Sequence, residues 1–516
     1  MHISSSRRGF IRGLAGASAL GLGGCSTFCG SCGKIRLAAV GIGGKGLTDW
    51  LPMVRSGKAE LVAWCDADEK QREKAINHKL VKAVPGLADK LATLPFFDDA
   101  RKLLDKAGIL GIQAMTISTP DHMHAPIAIS AMKQGIHVYV QKPLVRTLWE
   151  LEYFNRTAKE YGVITQMGNQ GSALDSMRRC TEVVQSGIIG EATEVHVWTN
   201  RPVWPQGAVT AAATLGDGDP VQPGLNWDAW IGTAKMRPFK GKHKPEMAKY
   251  DPWKLSPNVY HQFSWRAFFD FGCGAFGDMA CHTMNMPFRG LELGIVSAAE
   301  CIKIEDKNDI CYPMKSIVKM TYAPRDSKAR PGVRLPEVTL YWYDGNIKPD
   351  AEIMPEVVAT LGKVPNTGCY FKGTKGSVVM MDDYGGKCML GLKGEAKMVD
   401  MFEHEAAKAV ARVLPFRSDA ANKVEKGEGA AAVSADGHYV EFLDAINGDG
   451  PVYRETNSRC YADVDFSVPI MEGILVGCIA QQVPGKLAWD SAAQKFVGSD
   501  AANALLKPYI RPGWEF

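Results

Sequence analysis

Basic residues barely outnumber acidic ones in this 516-residue chain: 60 Lys and Arg stand against 56 Asp and Glu, a formal net charge of +4. With no concentrated basic stripe, the electrostatic footprint of a nucleic-acid-binding protein is missing. No second cysteine pair at zinc-ligand spacing accompanies Cys29-x-x-Cys32, so the 13 cysteines point to no metal site. The chain is also too large to need disulfide staples. Cys65, Cys281 and Cys478 sit inside apolar segments and read as small buried hydrophobes. Internal repeats are absent, as is any low-complexity tract beyond the N-terminus.

The apolar stretch Gly13–Gly24 is shorter than the ~20 residues that span a bilayer. Following Ser6-Arg7-Arg8-Gly9-Phe10-Ile11, it reads as the hydrophobic region of a twin-arginine export signal. Leu22-Gly23-Gly24-Cys25 is similar to a lipoprotein cleavage box with Cys25 acylated; an ordinary cleavage site with an incidental cysteine is the alternative. Residues 1–33 are therefore expected to be signal and linker, the mature protein periplasmic, and any membrane contact a lipid on Cys25. A protein exported already folded would carry its cofactor with it.

From Ile35 the chain alternates strand and helix: Ile35–Val40, Glu60–Cys65, Gly111–Ser118, Ile136–Val140 and Val163–Met167 are strand-like. Helical character fills Asp68–Val81, about His122 to Gln134, and the stretch to about Tyr161. That alternation predicts a parallel, doubly wound α/β sheet over 34–170. Beyond Gly171 the pattern changes. Glu191–Thr199 alternates, and Val296–Ile302, Ser316–Thr321, Glu337–Tyr343 and Gly376–Met381 are further strand candidates. Long Gly/Pro/Trp-rich excursions separate them, above all Arg201–Pro257. Residues 171–516 are expected to form an α+β domain on a large, mostly antiparallel sheet. The helices Gly437–Ile446 and Tyr461–Gln482 are expected to pack back across the domains.

Gly41-Ile42-Gly43-Gly44-Lys45-Gly46 follows a strand and opens a helix, the context of a dinucleotide fingerprint. Asp66, 20 residues past Gly46 at the end of the second strand, would hold the adenosine ribose and repel a 2′-phosphate. NAD is thus favoured over NADP. Ser118-Thr119-Pro120-Asp121-His122-Met123-His124 ends the next strand candidate on the same cleft edge. His122 and His124 there either hydrogen-bond the cofactor or substrate or cap the following helix. The apolar run Ile136–Val140 delivers Gln141-Lys142-Pro143 to a strand's carboxyl end, where open α/β sheets bind ligands. A lysine held there against a nucleotide can move protons at a sugar carbon. Asp278 and His282, four apart, share one helix face and together suit vicinal hydroxyls; a helix cap and a satisfied histidine are the alternatives. Arg201, Trp204, Gln206, Trp227, Trp230, Trp265 and Arg266 offer aromatic platforms and polar donors for a sugar, with plain loop packing the alternative for the tryptophans.

These motifs, with Gly168-Asn169-Gln170-Gly171 and Trp198-Thr199-Asn200-Arg201-Pro202, resemble the glucose–fructose oxidoreductase/inositol dehydrogenase (Gfo/Idh/MocA) family, and most of all its exported branch. The resemblance implies a Rossmann domain binding NAD, a carbohydrate substrate and self-association through the second sheet; because an exported enzyme has no free NAD pool around it, the cofactor is expected to be tightly held. It also implies that Lys142, Asp278 and His282 form the reaction centre, with Ser118, Thr119, Pro120, His122, Gln141 and Asn169 near the cofactor. The expected activity is NAD(P)-dependent oxidation of a sugar or glycoside hydroxyl. The alternative is a redox glycosidase, whose Thr-His-Gly-Leu-Gly-Pro segment the sequence lacks. One residue departs from the pattern: Gln141 stands where the family usually has Glu.

Overall fold

Short apolar runs become buried parallel strands in the first half of the chain. The computed structural model describes residues 33–241, 249, 251, 252, 254, 258–417 and 430–516. The export signal, Cys25 and the Cys29/Cys32 pair fall outside the described residues, as does part of the Arg201–Pro257 excursion. Strands β1 (Ile35–Val40), β2 (Ala59–Cys65), β3 (Phe96–Phe97), β4 (Ala114–Ile117), β5 (His137–Val140) and β6 (Thr165–Met167) form one sheet in the order β3-β2-β1-β4-β5-β6. Every pairing in it is parallel. This is a doubly wound sheet whose order reverses between β1 and β4, where the crevice for a ligand opens. Leu37, Ala39, Met115, Val138 and Val140 are almost wholly buried; each large aliphatic side chain so buried contributes about 1.5–3 kcal/mol.

The second sheet holds β7 (Ala192–Trp198), β8 (Val296–Glu305), β9 (Lys315–Tyr322), β12 (Val338–Tyr343), β13 (Gly368–Gly373), β14 (Gly376–Met380), β15 (Cys388–Leu392), β16 (Val399–Asp400), β17 (Leu487–Asp490) and β18 (Lys495–Val497). Their order is β16-β15-β14-β13-β7-β12-β9-β8-β17-β18. Only β7 and β12 pair in parallel; every other ladder is antiparallel. Strand β9 alternates half-buried and buried residues, the mark of a sheet covered on one face. A separate ribbon joins β10 (Arg325–Asp326) to β11 (Arg334–Leu335).

Residues from the far end of the chain complete the first core. Tyr439, Phe442 and Leu443, on the helix Ala430–Ile446, share a cluster with Ile35, Leu37 and Trp64 of the parallel sheet and with Trp50 of the helix Lys45–Arg55. The buried helix Val464–Ala480 packs on the helices Leu148–Tyr161 and Gly274–Thr283. The long excursion and the segment that follows it share an aromatic cluster, including Trp204, Trp227, Trp230 and Phe239 from the first and Tyr260, Trp265, Phe268 and Phe271 from the second. From the excursion, residues 224–226 reach across to the parallel sheet. Glu69 N donates to Gly224 O at 2.8 Å, Asn226 N to Ala67 O at 2.8 Å, and Asn226 Nδ2 to Asp98 Oδ2 at 2.9 Å.

One expected helix is shorter than its periodicity suggests. Asp68–Val81 splits into Lys70–Asn77 and Lys79–Lys82 because His78 is extended, its ring nitrogen accepting from Leu80 N. Cys65, Cys281 and Cys478 are buried and unpaired, as are most of the described cysteines.

Candidate functional site

The loop after β1 meets the first turn of the helix Lys45–Arg55, which has neither a side-chain cap nor an acidic residue in that turn. Gly46 N donates to Gly43 O at 2.9 Å, and no side chain competes for the other N–H groups of this helix start, which suits an anion. Gly44, at φ 51°, precedes the helix with open space where a Cβ would stand. Gly46 has no such room: a Cβ there would lie 1.7 Å from Gly41 O. Loop and helix can approach this closely only through glycine.

At the end of β2, Asp66 Oδ2 accepts from Ile42 N at 2.9 Å and Oδ1 from Asp68 N at 3.0 Å. Burial raises its carboxyl to about 6, against the pull of these N–H groups. Thr119 Oγ1, after β4, is buried with no hydrogen-bond partner. A glycine cradle, an uncapped helix start, a carboxylate at the ribose position and an orphaned hydroxyl together fit a dinucleotide lying across the β1–β4 crevice.

The cleft continues to Lys142, just past β5. Its Nζ donates to Asp278 Oδ1 at 2.7 Å and to Asp278 O at 3.1 Å. Arg266 Nε reaches the same Oδ1 at 3.2 Å. Burial opposes the Asp278 charge, but the Lys142 ammonium and the Arg266 guanidinium outweigh it and hold the carboxyl well below the usual range. One helical turn on, burial and the neighbouring Lys142 charge push the His282 imidazole well below its ordinary value, so the ring is neutral at pH 7. Its Nδ1 is buried without a hydrogen-bond partner, and its ring meets Tyr384 edge-on with centroids 4.7 Å apart.

Gly41, Gly44, Asp66, Thr119 and the Lys142, Asp278 and His282 group all line one cavity of about 600 Å³, within the ordinary range for ligand clefts of roughly 300–1,000 Å³. Gly41, Gly43, Lys45, Asp66, Ser118, Thr119, Pro120, Gln141 and Lys142 form its cofactor side. Arg201, Trp204, Trp230, Trp265, Arg266, Asp278 and His282 line the same cavity. Arg201 is bound to Asn200 and, at 3.1 Å, to Asp383 Oδ2. The Arg266 guanidinium lies 4.0 Å from the Phe263 ring centre and 4.2 Å from that of Trp265.

Four expected cofactor residues do not line the cavity. The Ile42 side chain is in the core, and Gly46 serves helix–loop packing. Asn169 is wholly buried with both amide atoms unpartnered, while its neighbour Gln170 reaches the cavity. His122 faces away: its Nε2 lies 3.1 Å from both Trp230 O and Ile231 O, and burial lowers the ring to about 3. His124 bridges Pro143 O at 2.7 Å and Thr119 O at 2.9 Å, tying together the loops after β4 and β5. Gln206 and Trp227 are packing residues, bonded to Pro313 O and Arg237 O. Trp230 keeps an edge on the cavity while stacking on Trp227 at 4.8 Å.

Sequence reasoning missed Asp121, Tyr384, His261 and Trp514, which all line the cavity. Burial, only partly offset by Arg266, lifts the Asp121 carboxyl to about 8, so it is neutral at pH 7 and able to donate. For Tyr384 the only signal was the turn-forming run Asp382-Asp383-Tyr384-Gly385-Gly386.

Residues 35–169 match the Gfo/Idh/MocA oxidoreductase family, described by its NAD-binding Rossmann fold. Levoglucosan dehydrogenase of Pseudarthrobacter phenanthrenivorans is 26% identical over 152 residues, 27% of this chain and 38% of that protein. Glycosyl hydrolase family 109 protein 2 of Akkermansia muciniphila is 27% identical over 162 residues, 31% of this chain and 32% of that protein. The chain thus spans under two fifths of the length of these curated relatives. An inositol dehydrogenase homolog from Azotobacter vinelandii, solved with NADH and myo-inositol, shares the fold: TM-score 0.53 and 16% identity, covering 88% of this chain and 98% of that one. The family match and the fold agree on an NAD-binding Rossmann domain of the oxidoreductase type.

Proposed function

We propose that the protein oxidises a hydroxyl of a sugar or glycoside, with NAD as the cofactor. The observation that carries the reading is the convergence of Lys142, Asp278 and His282 on the wall of the cavity that the glycine loop opens. The bound dinucleotide supplies the hydride acceptor. The neutral His282 ring takes the proton of the substrate hydroxyl. Lys142 Nζ, pinned by Asp278, donates to the oxygen as its negative charge develops. Asp278 keeps that cation in place, and Arg266 holds Asp278. Trp204 and Trp265 line the cavity with their exposed edges, which would meet the sugar as apolar surface, and Arg201 would add donors. The carbon loses hydride, the oxygen loses its proton to His282, and a carbonyl results.

Lys142→Met tests the assignment: NAD binding should persist while turnover falls by about 10²–10⁴-fold. Normal turnover in that variant overturns it. A redox glycosidase is the second reading, favoured by the similarity to a family 109 glycosyl hydrolase. In it Lys142 and His282 would handle the proton of the C3 hydroxyl while NAD supplied the hydride acceptor, the C3 ketone so formed would acidify C2–H for elimination of the aglycone, and addition of water followed by re-reduction of C3 would restore the cofactor. Release of aglycone from aryl glycosides without net NADH distinguishes it from net oxidation. Export by the twin-arginine route, a lipid on Cys25 and a homo-oligomer built on the second sheet complete the proposal. Cell fractionation, the mass of the mature N-terminus and sedimentation test these three.

A further inference from the structure

Beneath the cofactor side of the cleft sits a carboxylate with no role in the scheme above. Asp49, on the helix Lys45–Arg55, is fully buried. It accepts from Lys45 Nζ at 2.5 Å, Ser118 Oγ at 2.7 Å and Tyr439 OH at 3.0 Å. Gln141 Nε2 lies 3.0 Å from each of its two oxygens. Four separate parts of the chain thus meet at one side chain: the glycine-loop helix, the end of β4, the end of β5 and the helix Ala430–Ile446.

The same contact fixes the Gln141 amide. With Nε2 on Asp49, Oε1 is left to face Lys142 N at 3.3 Å. Turning the amide over would set its oxygen against the carboxylate. Gly168 closes the remaining side, since a Cβ there would come 2.5 Å from Nε2. A glutamate at 141 would put a second carboxylate where Nε2 now lies, and two carboxylates that close share a proton instead of both ionising.

We propose that Asp49 is the positioning carboxylate of the cofactor side, setting Lys45, Ser118 and Gln141 relative to one another, and that its contact with Gln141 is why position 141 holds an amide. The negative charge that a glutamate would bring to the cleft is held one side chain deeper. The proposal rests on the NAD-binding reading of the cleft and not on the identity of the substrate.

The experiment exchanges the two groups in the full chain. NAD affinity at pH 7 and apo melting temperature are measured for wild type, Asp49→Asn, Gln141→Glu and the double variant. Each single change should weaken NAD binding by about tenfold or more and lower the melting temperature, and the double should recover to within about threefold, a coupling that independent sites would not show. Gln141→Glu should also make NAD affinity depend on pH through the shared proton, and the double variant should not. A double variant whose losses simply multiply overturns the proposal. If Asp49→Asn fails to fold, Gln141→Glu decides alone: unchanged affinity overturns it. Wild-type protein that binds no NAD overturns the reading of the cleft and the positioning role with it, while the apo melting temperatures still show whether the two groups are coupled.

Discussion

Single side chains in the cleft have protonation states that residue type alone does not give. Asp66 titrates near 6 in the free protein because burial disfavours its charge. If Asp66 holds the ribose, the hydroxyls donating to its ionised form would make bound NAD lower that value. NAD affinity should therefore be highest above pH 6 and fall as pH drops through it, by up to about tenfold per unit. Asp66→Asn should bind weakly with this pH dependence gone; a wild-type affinity flat from pH 5 to 8 contradicts the ribose role. The motif Thr119-Pro120-Asp121-His122 was legible as cleft-forming, but which of its side chains faces the cavity was not. The short 3-10 turn Asp121–Met123 aims Asp121 inward and His122 onto the carbonyls of Trp230 and Ile231. Asp49 was invisible for a similar reason: in Thr48-Asp49-Trp50 it reads as an ordinary polar helix position, and three of its four donors, Ser118, Gln141 and Tyr439, come from far along the chain.

Secondary-structure elements were legible where local pattern decides them. The buried runs Ile35–Val40 and His137–Val140 are strands whose apolar residues are covered on both faces, and Lys142 follows directly from where β5 ends. The two-residue β3 lacks any period, and β13, Gly-Cys-Tyr-Phe-Lys-Gly, is bounded by glycines that mask it. No local signal could place β7 at the centre of the second sheet, between β12 in parallel and β13 antiparallel, because that pairing is decided by contacts distant in sequence. The glycine loop yields a sharp element-level test. Gly46→Ala puts a methyl 1.7 Å from Gly41 O, which forces helix and loop apart. NAD binding should be lost and stability should fall by about 1–3 kcal/mol, as for other overpacked sites; a Gly46→Ala protein binding NAD normally would show the approach to be dispensable.

At the scale of the whole molecule, the loops at the edge of the cofactor side are tied to a segment of the long excursion that follows the parallel-sheet domain. Residues 224–226 bond to Ala67, Glu69 and Asp98 beside Asp66. Asn226 also caps the helix Trp227–Ile231 through Ala229 N at 3.1 Å. Asn226→Ala should lose about 1 kcal/mol of capping, together with the Asp98 contact. Exchange of bound NAD against labelled NAD is then expected to quicken by about fivefold or more, and an unchanged rate would mean that the segment does not retain the cofactor. If the segment does retain the dinucleotide, the cofactor would be a permanent working part, reset in place. Kinetics should then follow a ping-pong scheme, with parallel lines in double-reciprocal plots: the first product departs with the electrons left behind, and only a second molecule entering the same cleft can collect them.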